Sequence, residues 1–429
     1  MEPMREYRSP QLGEHYYRMT HKSGLPIYVF PKKLTTAFAY FATRYGSLDR
    51  AFYTEGKQSL TEVPDGIAHF LEHKLFENAD GSDSFARFAA LGADANAYTT
   101  YNRTAYLFSC TERFEESFSE LLSFVTHPHF TEKSVKKERG IIAEEIRMYE
   151  DNPWDRCMQL LLESLYWKHP VRQNICGTVD SIASITPRLL YECHKVFYNP
   201  ANMALVVAGD VEPETVWRIA EETLPKDFLP REVLRAEVDE PACVRRSYAD
   251  ERMQVAKPLF CIGIKDAPMT GTPEERLRRE MALNLMDEIL FSKSGSFYNA
   301  LFEENLVTQS FAAGYSAAEG FAFHCISGES DDPEAVLERL RTYVASVAEN
   351  GISEEDFERC RRVMYADELR AYDSTEEIAG RLLSFVFDGI EMFSCPRVLQ
   401  SMTKHEVEDC ISTLLCDGGA SLAVIRPLQ

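Results

Sequence analysis

The chain has 429 residues, 45% of them hydrophobic, which is enough for two or three domains with sizeable cores. Its formal net charge of −22 argues against nucleic acid and anionic membranes as partners. With no run of about 18 apolar residues, no membrane-spanning helix is predicted.

The N-terminal segment MEPMREYRSPQLGEHYYRMTHKSG has no apolar core and no small-residue cleavage site, and it carries acidic residues. Neither a signal peptide nor a transit peptide is expected, and a cytoplasmic location is. Eleven cysteines are scattered singly from Cys110 to Cys416, with no C-x-x-C pair. That pattern suits reduced core thiols better than a disulfide frame or a cysteine zinc site.

Residues 26–47 alternate like two strands. Residues 69–73 then read His-Phe-Leu-Glu-His. Two histidines four apart on a helix share one face, with Cβ atoms roughly 5–6 Å apart. Both imidazoles can grip one zinc ion, and Glu72 projects near them without having to be a ligand. A catalytic zinc takes a third protein ligand and keeps the fourth position for water. The alternative is a surface helix with two scattered histidines. Ile67, Phe70, Leu71, Leu75 and Phe76 argue against it, because they predict a packed helix. Buried imidazole and carboxylate need partners, and a metal is one.

A helix is predicted at 82–92, then two strand-like runs, ADANAYTTYN and RTAYLFSC, and a helix over 114–128. A second long helix is expected from an N-cap at Thr131, stopping before Pro153. In it Glu138, Ile141, Ile142, Glu145, Met148 and Tyr149 fall on one face at helical spacing. Glu145 is therefore the candidate third ligand, and Glu138 shares its face two turns earlier. Glu144 lies about 100° off that face and reads as an ordinary surface charge.

The chain also repeats itself. HFLEHKLFEN (69–78) can be laid on NLMDEILFSK (284–293), and AEEIRMYED (143–151) on ADELRAYDS (366–374). MALVVAGDV and ASLAVIRPL both read as closing strands. In the second copy Asn284, Asp287 and Glu288 stand where His69, Glu72 and His73 stand in the first, a poor zinc set. The linker 224–246 divides the chain into a zinc-bearing half, 1–235, and a homologous non-catalytic half, 236–429.

GIAHFLEHKLFEN, GADANAYTTYNRTAY and ERGIIAEEIRMYEDNP, in that order, resemble the pitrilysin/insulinase family of zinc metallopeptidases with an inverted H-x-x-E-H motif. The single-length, two-half form resembles bacterial members akin to mitochondrial processing peptidase. The resemblance implies an α+β fold in which each half is an antiparallel sheet covered by helices. It implies Zn²⁺ held by His69, His73 and Glu145, with Glu72 as general base. The family's third ligand follows an earlier glutamate by seven residues, and Glu138 plus seven is again Glu145. Glu138 is then a supporting residue behind the ligands. Asn96 and Ala97 occupy the place of the family's edge-strand pair, where an extended peptide is added as a further strand. Members commonly dimerise around a closed chamber that admits unfolded peptides, so the second half is expected to serve as chamber wall and dimerisation surface. Leader-type peptides and general short peptides both fit as substrates.

One departure alters the expectation. Active members carry an arginine and, about seven residues later, a tyrosine in the second half of the same or a partner chain. The matching stretch, 296–320, holds no arginine. Phe302 or Glu303, and Thr308, stand where the pair belongs, and Tyr315 lacks its partner. A heterodimer with a homologous subunit carrying the Arg–Tyr pair is expected, a homodimer being the alternative. The rival classes are a non-catalytic binding or assembly subunit, and a zinc hydrolase with a non-peptide substrate. The intact motif speaks against the first and the edge-strand pair against the second.

Overall fold

The computed structural model describes residues 4–53, 60–415 and 418–428, so Cys416 lies outside the described residues. The chain forms two compact units. The first comprises residues 1–146, 174–237 and 369–393, and the second 147–173, 238–368 and 394–429.

The first unit is built on a seven-stranded sheet. Its strands are β1 (Arg5–Ser9), β2 (Glu14–Thr20), β3 (Pro26–Pro31), β4 (Ala37–Thr43), β7 (Asp94–Thr99), β8 (Thr104–Cys110) and β9 (Met203–Gly209). Strands β5 (Ala51–Tyr53) and β6 (Leu60–Glu62) pair with β10 (Leu234–Arg235) in a small separate sheet. The large sheet runs β1-β2-β3-β9-β4-β8-β7, with β3 and β9 parallel and every other pair antiparallel. The closing strand β9 is buried along its whole length because it sits mid-sheet with neighbours on both sides.

The second unit repeats the plan. Strands β11 (Tyr248–Met253), β12 (Leu259–Asp266), β13 (Ala312–Ala318), β14 (Phe321–Glu329) and β15 (Ala420–Pro427) lie in the order β11-β15-β12-β14-β13. This is the order β3-β9-β4-β8-β7 used again, with the one parallel pair, β11–β15, in the corresponding place. The fold is α+β. Each of these two sheets is antiparallel except where its closing strand inserts, β9 beside β3 and β15 beside β11.

Each unit borrows a helix from the other half of the sequence. Helix Pro153–Leu165 packs on β12 and β15, and helix Thr375–Asp388 packs on β4 and β9. Ile378, Leu382 and Leu383 of the latter are buried in one cluster with Phe30, Tyr40 and Val206. Leu161 and Leu165 of the former lie so close to Gly263 that a Cβ there would come within 2.8 Å of both. A cut at 235/236 would strip each helix from the sheet it covers.

The long helix runs Glu132–Asp151, with Ser134 N donating to Thr131 Oγ1 at 3.1 Å as its start signal. Its buried face is turned from the one expected. Ser134, Val135, Ile142 and Ile146 are buried, whereas Ile141 and Met148 are exposed.

His194 shows how the first unit's core responds to pH. Burial pushes its pKa down to about 4, against a bond between Nε2 and Val125 O at 2.9 Å. The ring is neutral in the fold, while the unfolded chain takes up its proton below about pH 6.5. Stability from this residue is therefore complete above about pH 6.5 and is lost as pH falls towards 4, by up to about 3 kcal/mol. Denaturant unfolding between pH 7 and 5 is expected to show a shallower pH slope in His194→Gln than in the parent chain. Equal slopes would assign the acid sensitivity to other groups.

Candidate metal centre

The motif helix, Ile67–Leu75, lies in the first unit against β7 and β8. Gly66 precedes it at φ 87°, and a Cβ there would stand 2.2 Å from Cys176 O. Gly177, at φ 75°, faces back: its Cβ would stand 2.4 Å from Asp65 O. Only glycine satisfies the left-handed backbone and the close approach together. Ser181 Oγ donates to Asp65 O at 2.8 Å and pins the same crossing. A loop remote in sequence is thereby clamped onto the start of the motif helix, and it delivers Cys176.

His69 and His73 sit one turn apart, ring centroids 4.5 Å from each other. Glu145, from the long helix, spans them. Its Oε1 is 3.5 Å from His69 Nε2 and its Oε2 is 3.5 Å from His73 Nε2. The structure brings these three together and leaves Glu144 exposed on another face. His73 Nδ1 lies 3.2 Å from Glu138 Oε1, which turns Nε2 towards Glu145. Glu138 is held in turn by Lys74 at 3.6 Å, and buried Lys74 also pairs with Glu77. Glu72 accepts from Thr99 Oγ1 at 2.5 Å, and Thr99 reaches Thr104 at 3.2 Å, whose hydroxyl donates to Tyr45 O. Asn96 and Ala97 lie on β7, the edge strand that also carries Thr99. Asn96 is exposed and its Oδ1 accepts from Ala97 N at 2.8 Å.

The ionisation of the cluster follows from its burial and its crowding. Burial raises the pKa of Glu72 and Glu145 adds to the rise, against His69, Thr99 and His73. Burial works against the imidazolium of His73, but the Glu138 bond and the charges of Glu72, Glu145 and Glu138 outweigh it and raise its pKa. Burial also works against the Glu138 carboxylate, yet His73 and Lys74 bring its pKa below the ordinary value. Cys176 Sγ lies 3.9 Å from His69 Nε2, its pKa pushed up to about 12 by burial and then by Glu145 and Glu72.

This donor set fits a zinc ion. Each imidazole Nε2 lies 3.5 Å from one oxygen of the Glu145 carboxylate, within the roughly 3.3–3.6 Å that separates the donors of a tetrahedral zinc with bonds of about 2.0–2.2 Å. Glu145 adds to the rise in the Glu72 pKa, so a cation beside the two relieves a repulsion already present. Lys74, Thr99 and Cys176 complete the surroundings and carried no sequence signal of their own. Lys74 adjoins the motif, but the other two come from a strand and a loop that only the fold brings near.

Two M16 family models match consecutive stretches of the chain. That of insulinase (peptidase family M16) covers residues 58–179, and that of the peptidase M16 inactive domain covers residues 184–364. The Bacillus subtilis zinc protease YmfH is 40% identical over 404 residues, 94% of each chain. The chain belongs to peptidase family M16. A solved M16-like peptidase from Alicyclobacillus acidocaldarius superposes on this M16 chain with a TM-score of 0.91 at 34% identity, covering 100% of this chain and 99% of that one. A protease from Helicobacter pylori shares the fold at a TM-score of 0.83 and 18% identity, covering 96% and 100%.

The glycine crossing beneath this M16 centre can be tested. Gly66→Ala meets both a left-handed φ and the Cys176 carbonyl, and it is expected to lower stability by roughly 2–4 kcal/mol in denaturant unfolding. An unchanged midpoint would mean that the loop and helix separate without cost.

Proposed function

We propose that the chain is a zinc metalloendopeptidase acting on unfolded peptides, with His69, His73 and Glu145 as the metal ligands. The observation that carries this reading is the 3.5 Å spacing of Glu145 from both imidazoles, with Glu72 beside them. When bound, zinc polarises the scissile carbonyl and lowers the pKa of water from 15.7 towards about 7. Glu72 takes the proton of the attacking water and returns it to the leaving amine. Its raised pKa suits that exchange, and the Thr99 hydroxyl holds its other oxygen in place. Glu138 fixes the His73 ring from behind. A substrate strand added at the free edge of β7, along Asn96 and Ala97, would run beside the helix that carries Glu72. Main-chain pairing there selects extended chains, from leader-type segments to short degradation products, rather than particular side chains.

The second half supports a division of labour. Asp287, at the place of Glu72, lies 3.1 Å from His324 Nδ1 and does structural duty. Tyr315 donates its hydroxyl to Asp266 at 2.9 Å, so it is engaged within its own unit. We therefore assign residues 236–429 to chamber wall and dimerisation, and the missing Arg–Tyr pair to a homologous partner subunit. A charged donor aimed at the developing oxyanion is worth roughly 3 kcal/mol. A cytoplasmic setting is supported by the ten cysteines of the described residues, all free thiols. Among the described residues no helix is long and apolar enough to cross a membrane.

Two measurements test the proposal. Glu72→Gln is expected to keep stoichiometric zinc by elemental analysis while turnover of a denatured protein falls by at least about 100-fold. Loss of the metal would remove Glu72 from the role of base, and full turnover would sink the peptidase mechanism. The pure chain alone is expected to cleave slowly and to gain about 100-fold on adding a subunit that supplies the Arg–Tyr pair. Full activity from a homodimer would refute the heterodimer.

A further inference from the structure

Cys176 does not fit the expectation of a plain core thiol. Its Sγ, one carboxylate oxygen of Glu145 and one imidazole nitrogen of His69 all lie within 4.8 Å of one another. His69 is more than nine-tenths buried, and its Nε2 is 3.5 Å from Glu145 and 3.9 Å from the sulfur. Among the described residues its Nδ1 has no hydrogen-bond partner, so its polar contacts are made on the Nε2 side alone. A tetrahedral zinc with a bond of about 2.3 Å to sulfur and about 2.05 Å to nitrogen separates those two donors by roughly 3.5 Å. The observed sulfur–nitrogen separation of 3.9 Å exceeds that value by a few tenths of an ångström. The Gly66–Gly177 crossing and the Ser181 bond hold the backbone that carries it against the motif helix.

We propose that Cys176 is a fourth protein donor to the metal in the substrate-free protein. The inference rests on the zinc reading of this site and adds its regulation. As the zinc–sulfur bond forms, the thiol releases its proton to solvent and a water leaves the fourth position. Two imidazoles, one carboxylate and one thiolate make a closed, electrically neutral centre. A catalytic zinc keeps one position open. The resting enzyme is thus self-blocked, and the thiolate must leave before water can be activated. Cys176 is a gate rather than a catalytic residue.

X-ray absorption at the zinc edge of the full-length, zinc-loaded chain is the test. One sulfur scatterer at about 2.3 Å is expected in the parent chain, and only nitrogen and oxygen scatterers in Cys176→Ser. Zinc held by nitrogen and oxygen alone in the parent chain would overturn the gate and leave the zinc site standing. A sulfur shell that survives in Cys176→Ser would also overturn it, because another cysteine would then be responsible. A chain that binds no zinc would remove both readings. Should Cys176→Ser not fold, the cobalt-loaded parent chain decides: thiolate-to-cobalt charge-transfer absorption in the near ultraviolet is expected, and its absence overturns the proposal.

Discussion

Charge crowding at the motif helix is the constraint on which the first unit depends. Glu72, Glu138 and Glu145 converge on two imidazoles in a largely buried place, and Lys74 is the cation that the helix itself contributes. An ionised carboxylate taken from water costs several kcal/mol unless it is paired. The fold answers in two ways. Glu138 is paired outright with His73 and Lys74, and its pKa falls. Glu72 is left with a threonine hydroxyl, and its pKa rises. Two glutamates brought together from different helices are thus pushed apart into a fixed anion and a proton acceptor, the arrangement that general-base chemistry needs.

The environment that splits them is built from three separate stretches of chain. The edge strand β7 supplies Thr99, the long helix supplies Glu138 and Glu145, and the 174–181 loop supplies Cys176. Each is anchored by something local. For the long helix it is the Thr131 cap, for β7 its pairing with β8, and for the loop the two facing glycines. The donors are thus held by anchors on three separate elements, and β7 is the last strand of its sheet.

Much of this was legible in the sequence, for reasons of period. His69, Glu72 and His73 are one helical turn apart, so a helix face states their proximity directly. Glu145 could be chosen over Glu144 because the two project in directions about 100° apart on the same helix. The apolar spacing misled in detail. Ile141 and Met148 completed a hydrophobic stripe on paper but face solvent, because the helix turns its carboxylates and Ile142 and Ile146 inwards instead. Tertiary placement left no such trace. Nothing in QNICGTV sets Cys176 apart from the other cysteines, and nothing in AYTT sets Thr99 apart as a donor to Glu72. The helix exchange is equally silent, because Pro153–Leu165 and Thr375–Asp388 have the amphipathic pattern of any covering helix and do not say which sheet they cover.

The duplication separates what the fold requires from what the site requires. Both sheets use one strand order, with one parallel pair in the same place, and both are covered by a helix from the other half. At the position of Glu72 the second copy has Asp287, satisfied by His324 at 3.1 Å, and His324 Nε2 lies 3.0 Å from Thr413 Oγ1. That polar pair is closed within its own core, and among the described residues of the second unit no group of three metal donors converges. The architecture therefore stands without a cluster of the first kind. The first copy keeps two imidazoles, a glutamate of raised pKa and a thiol at one place. Folding gives no reason for that combination, whereas a metal at the meeting point of the donors does.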